Sequence, residues 1–278
     1  MLGRKVGIAI EGETIRTCTR LGGRVIAIPA CIVRNTRLGS ARHYVGEDAY
    51  TRHAQDPETW EIHWPFIGIE HRDRDGVYQI LRETVIRTLG RGRVFRPEII
   101  CSVDPALTGG ARRQLLQVFA SFGARTAYLV DLPVAHMLAL QKSHAHLARY
   151  ILLDCLQDRF DCSLIADGYV IAHATSGNLA RSFVDKDADT DREVRKELSS
   201  LLAATQALSP QDVWEEAYSK GMVLTGSAAS QPSIQHHAAT LPGINLHLTP
   251  DPELHAVRGV TQAIDDWNAI KRAYVYIK

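Results

Sequence analysis

Short apolar or alternating runs open the chain: Val6 to Ile10, Thr14 to Thr19 and Arg24 to Val33, broken by Glu11-Gly12-Glu13 and Gly22-Gly23. Runs of that length between glycine-rich breaks predict a β-meander. Residues 47–76 are polar and read as irregular, with Trp60, Trp64 and Pro65 marking an extended segment. From Gly76 the period changes. Val77, Ile80, Leu81, Val85, Ile86 and Leu89 recur at three and four, which predicts an amphipathic helix stopped by Gly90. Glu98 to Val103 reads as a buried strand. Thr108 to Phe122 reads as a helix with Leu115, Leu116, Val118 and Phe119 inward, and Gly123 closes it. Thr126 to Val130 is a further strand ahead of a helix beginning near Pro133.

A hairpin over residues 151–174, LLDCLQDRFDCSLIADG at its centre, opens a second strand-rich block. A charged stretch follows Gly177, then a helix from about Asp191 to Ala207. Ser209-Pro210 predicts another helix start, with Ser209 as N-cap and Pro210 at the first helical position. The strand Met222 to Leu224 meets Thr225-Gly226-Ser227, and a helix over 252–269 and a strand from Ala273 to Ile277 end the pattern. Two blocks, each a meander followed by α/β units, predict two similar lobes, although no sequence repeat is visible.

Composition adds limits. With 45% hydrophobic and 23% charged residues the chain reads as a soluble globular protein, and a net charge of +1 gives no reason to expect nucleic-acid binding. No apolar run approaches the roughly 20 residues of a membrane span, and Met1-Leu2-Gly3-Arg4-Lys5 offers no signal-peptide core, so a cytoplasmic location is expected. The five cysteines show no C-x-x-C spacing; reduced, half-buried thiols are expected rather than disulfides or a zinc site.

Several stretches, in order, resemble the MreB-like bacterial actins and through them the actin and sugar-kinase superfamily. Val45-Gly46-Glu47-Asp48-Ala49 is similar to the family's V-G-E-E-A, and Asp75-Gly76-Val77 to its D-G-V. Arg96-Pro97 through Val103 resembles the strand P-R-V-V-I-C-V. The run Gly123-Ala124-Arg125 to Asp131-Leu132-Pro133-Val134-Ala135 resembles G-A-R-x-x-Y-L-I-x-E-P-M-A. Gly221-Met222-Val223-Leu224-Thr225-Gly226 resembles G-I-V-L-T-G, and Asp251-Pro252 with Ala256-Val257-Arg258-Gly259 resembles D-P…A-R-G. The resemblance implies an α/β, two-lobed, actin-like (ribonuclease H-like) fold. The first lobe is expected at 1–148 with a small inserted subdomain at about 34–76. The second is expected at 149–278, its final helix returning toward the first lobe. Only 48 residues separate Gly177 from Gly226, so the outer subdomain of the second lobe is expected to be largely missing.

In that superfamily two glycine-rich hairpins clasp ATP phosphates through backbone N–H groups, and an Asp in each positions the metal. Here Ala9 stands where the first Asp would be, and Glu11 and Glu13 flank Gly12, two carboxylates that would repel a triphosphate. The second hairpin keeps Asp154, but Leu156, Gln157, Asp158 and Arg159 replace its glycines. The acid expected before Pro133 is Leu132. Asp131 lies one position away, a rotation of about 100 degrees at a helix start. Gly226-Ser227-Ala228 keeps one of three glycines. The nucleotide positions that remain are Gly12, Thr14, Asp154, Gly226 and Ser227, and they read as relics. No catalytic residue, metal site or cofactor is therefore expected, with ATP and magnesium as the cofactor alternative.

The loop Arg91-Gly92-Arg93-Val94-Phe95-Arg96 offers an apolar pair among arginines, in a position that the resemblance marks as a membrane loop. Basic residues near an anionic leaflet contribute about 1 kcal/mol each. The opposed reading has Phe95 capping the core. Among twelve histidines, the pairs His144/His146 and His236-His237 lack metal-ligand spacing and are expected at the surface. The expected function is an actin-like cytoskeletal scaffold and pseudo-ATPase. It would assemble with itself or with other actin-like filament subunits, peripherally at the inner membrane and without nucleic acid. Two alternatives stay open: a polymerising MreB-type ATPase with rebuilt loops, and an actin-fold adaptor of a secretion or pilus system.

Overall fold

The computed structural model describes residues 5–19, 23–35, 43–67, 73–90, 96–143, 148–157, 159–176, 188–241 and 245–265. The chain divides into two compact units. One runs from the N-terminus to Leu132 and resumes at Val260; the other is Pro133–Gly259.

In the first unit β1 (Lys5–Glu11), β2 (Thr14–Cys18) and β3 (Ile26–Pro29) form an antiparallel meander. The run read as one strand to Val33 is in fact two. It breaks at the buried Ala30-Cys31, and β4 (Ile32–Asn35) joins a separate three-stranded sheet with β5 (His43–Val45) and β6 (Trp60–His63). Residues 47–76 are likewise not irregular throughout. Helix α1 (Glu47–Gln55) precedes β6, and it buries only Ala49, so it leaves no apolar period in the sequence. Helix α2 (Arg74–Leu89) starts where the Asp73 carboxylate accepts the Gly76 N–H at 2.9 Å, and it stops at Gly90 with φ 82°. Strand β7 (Glu98–Val103), helix α3 (Gly109–Ser121), strand β8 (Thr126–Asp131) and the start of α4 (Leu132–Ser143) follow as the pattern predicts. The sheet order is β3-β2-β1-β7-β8, with β7 parallel to β1 and β8 parallel to β7.

Period two along β1 explains the packing. Val6, Ile8 and Ile10 face a core with Ile80 and Leu81 of α2 and Leu115 and Phe119 of α3. Gly7, Ala9 and Glu11 point the other way. A Cβ on Gly7 would lie 3.0 Å from Thr261 Oγ1, so this face is closed by packed chain.

The second unit repeats the scheme. Strands β9 (Arg149–Cys155), β10 (Phe160–Ala166) and β11 (Tyr169–Thr175) are antiparallel neighbours, and Asp167-Gly168, both at positive φ, turn the second hairpin. Helices α5 (Ala188–Ala207) and α6 (Gln211–Lys220) lead to β12 (Met222–Thr225), then α7 (Pro232–Ala239), β13 (Leu246–Leu248), a 3-10 turn at Pro252–Leu254 and α8 (His255–Asp265). The order β11-β10-β9-β12-β13 matches the first sheet position by position. Between β3 and β7 the first unit carries its extra sheet. Between β11 and β12 the described residues carry helices and no strand, which is the reduced second lobe.

Two local expectations change. Pro210, not Ser209, is the N-cap of α6, and the Ser209 hydroxyl donates back to Thr205 O at 2.7 Å. The closing helix is a 3-10 turn and α8; the expected strand at 273–277 lies outside the described residues.

Candidate functional site: two phosphate-hairpin positions

The first hairpin turn is Gly12-Glu13, with Glu11 paired to Thr14 across it. Gly12 has φ 59° and Thr14 is half-buried. A positive φ at the first central position alone is what a type II′ turn demands. Glu11 does not face outward toward an anion. It is 1% exposed and ion-paired with buried Arg16 of β2. Nor does Asp131 substitute for the missing acid, because its carboxylate lies 2.7 Å from the Arg112 guanidinium. Arg112 is itself fixed by the carbonyls of Leu107, Asp104 and Pro105. Leu132, at the expected acidic position, is 1% exposed.

In the second unit Asp154 and Asp161 stand directly opposite on β9 and β10, and both are buried. Like charges at opposite positions repel. Each has a separate answer. Arg159 reaches both Asp161 oxygens at 3.2 Å, and the Thr175 hydroxyl donates to one at 2.7 Å. Asp154 Oδ2 lies 3.0 Å from His136 Nε2 on α4. His136 Nδ1 in turn meets His255 Nδ1 on α8 at 3.2 Å, with ring planes 13° apart and centres 5.5 Å apart. An imidazole nitrogen lies about 1.2 Å from its ring centre, so the centre separation is that contact plus two ring radii. The rings are therefore nearly coplanar and head-on, with one N–H donating to the facing nitrogen.

Leu156 does not fill phosphate space but turns inward, fully buried, with its N–H on Arg159 O at 2.9 Å. Gln157 is exposed, and Asp158 lies outside the described residues. Gly226, with φ 98°, lies directly on the aspartate: a Cβ there would sit 2.2 Å from Asp154 Oδ1. Next to it, the Ser227 hydroxyl oxygen is buried with no hydrogen-bond partner among the described residues.

A hydrated divalent cation does not fit these groups. Magnesium demands octahedral oxygen ligands and keeps several waters, which needs open space beside the carboxylate. Asp154 Oδ2 holds an imidazole. Its Oδ1 is buried without a hydrogen-bond partner among the described residues, and the Cα of Gly226 closes over it.

Sequence reasoning missed both His136 and His255. His136 directly follows the Leu132-Pro133-Val134-Ala135 segment already singled out, but nothing in the sequence links it or His255 to Asp154. His237 is a correction as well: it is 6% exposed on α7, not at the surface. All five cysteines are buried thiols, beyond the half-burial expected. Residues Arg91, Arg93, Val94 and Phe95 of the basic loop lie outside the described residues, and Arg96 is exposed. No described helix is long and apolar enough to cross a membrane.

The architecture has solved counterparts. MreB5 of Spiroplasma citri bound to ADP superposes with a TM-score of 0.79 at 10% identity, over 97% of this chain and 99% of that one. MreB5 of the same organism bound to AMPPNP gives 0.78 at 11% identity, over 96% and 98%. This is an MreB-like actin fold. No protein-family model matches the sequence, and none of the curated proteins compared with it matches. At such identity the likeness fixes the actin fold and leaves each side chain to its own chemistry. In this actin fold Asp154 stands on the second hairpin and Gly226 after β12, within one unit and in direct contact.

Proposed function

We propose that this protein is an actin-like scaffold related to MreB whose nucleotide site has degenerated, so that it assembles or binds filaments without turning over ATP. One observation carries this reading: the carboxylates at and beside the nucleotide positions are paired internally, Glu11 with Arg16, Asp131 with Arg112, Asp154 with His136 and Asp161 with Arg159. A carboxylate oxygen held by a buried cationic or imidazole partner is not open to a metal while that pair stands, and breaking such a pair costs about 3–5 kcal/mol. Gly12, Thr14, Asp154, Gly226 and Ser227 are, in this reading, remnants of a nucleotide site. The opposite reading, an active polymerising ATPase, draws on the MreB5 structures bound to ADP and AMPPNP.

The actin-like fold supports like subunits, or another actin-like filament, as partners. The arginine-bracketed Val94-Phe95 pair supports peripheral contact with an anionic inner membrane. Sedimentation and negative-stain microscopy of the purified protein, with and without ATP and magnesium, test the scaffold reading. Filaments, or co-sedimentation with a partner filament, are expected to be the same in both conditions. Assembly that requires ATP overturns it.

A further inference from the structure

We propose that His136, braced by His255, is the resident partner of Asp154 and holds the place where the fold family carries a metal-bound nucleotide. The inference rests on the degenerate-site reading above and extends it to a specific side chain. Three buried groups from three elements form one row: Asp154 of β9, His136 of α4 and His255 of α8. His136 is 0% exposed, Asp154 3% and His255 4%, so hydration of the carboxylate is replaced by the imidazole N–H. When protonated, that imidazole also cancels the carboxylate charge, as a cation would.

The second histidine has a definite task. The ring's other nitrogen, Nδ1, is met head-on by His255, which fixes the ring plane. The same geometry rules out metal ligation by the two histidines, because Nδ1 lone pairs aimed at each other across 3.2 Å share a proton and do not converge on an ion. The helices are held close enough for this contact beside it: a Cβ on Gly259 of α8 would lie 1.7 Å from the Ala135 carbonyl oxygen of α4. Ala135 adjoins His136, and Gly259 lies one turn beyond His255. The row thus ties a strand and two helices of the second unit together without a ligand.

The test uses manganese as the probe. In wild-type protein, manganese at millimolar concentration is expected to leave the His136 imidazole NMR signals unbroadened and the thermal midpoint unmoved. His136→Ala is expected to lower the midpoint by roughly 10 °C, to recover part of that loss with manganese or with free imidazole, and to recover none once Asp154→Asn is added. Broadening of wild-type His136 signals that Asp154→Asn abolishes would overturn the inference. So would a His136→Ala response to manganese and imidazole no larger than that of the double variant. If His136→Ala does not fold, the wild-type broadening decides alone. Phosphate release by wild type with silent His136 signals would sink the degenerate-site reading and leave this inference standing. Asp154-dependent broadening without phosphate release would do the reverse.

Discussion

His136 Nε2 and Asp154 Oδ2 lie 3.0 Å apart, and both side chains are buried. Removing one partner of a buried pair strands the other, at a cost of about 3–5 kcal/mol. His136→Ala and Asp154→Ala are each expected to lose that much in urea unfolding. The double variant should lose clearly less than their sum, since contacting residues couple. Strict additivity would show the contact to be energetically idle.

Gly226 and Gly259 cannot accept a side chain, for different reasons. Gly226 combines φ 98° with an Asp154 oxygen 2.2 Å from any Cβ, while Gly259 has a carbonyl oxygen at 1.7 Å. Alanine at either is expected to destabilise the protein by at least about 2–3 kcal/mol, read from denaturant midpoints. Gly110, in the first turn of α3, has its nearest neighbour at 3.8 Å and an ordinary φ. Gly110→Ala should be neutral or stabilising by up to about 1 kcal/mol.

The buried thiols set an alkaline limit. Burial pushes Cys31 and Cys162 up to about 12 from an ordinary 9.0, and pushes Cys155 well up too. A raised thiol stays protonated in the folded state after the unfolded chain has ionised. Its contribution is therefore complete below pH 9 and is lost as pH climbs from there toward 12. Unfolding midpoints should fall across that window. Native protein at pH 8 should resist iodoacetamide at these cysteines, with mass spectrometry finding them labelled after unfolding.

An acid limit comes from Asp73. Burial alone would raise its carboxyl, but the Arg34 guanidinium at 2.7 Å and the Gly76 N–H outweigh it, and the net direction is down. A depressed carboxyl contributes stability that is present above its ordinary 3.8 and lost as pH falls below it. Arg34→Ala should therefore reduce stability at pH 6 and make little difference near pH 2, by circular dichroism.

What the sequence revealed follows from burial. Strand β7 was legible to the residue because an apolar run stood between Pro97 and a turn, and α2 because its inward face repeats at three and four. Helix α1 left no such trace, since one buried alanine makes no period. The break between β3 and β4 was hidden because Ala30 and Cys31 are as apolar as the strands they separate. At the site, Asp154 and the loss of glycines could be read directly. Its partners could not: His136 precedes Asp154 by 18 residues, and His255 is 119 beyond His136, so only the sheet and the helix crossing bring them together.

The central claim is that ATP is no longer turned over here. Titrating the purified protein with labelled ATP and magnesium, while following phosphate release, tests it most directly. The account predicts release at the level of the buffer blank and no magnesium-dependent binding in the micromolar range. Micromolar, magnesium-dependent binding with steady phosphate release would contradict it.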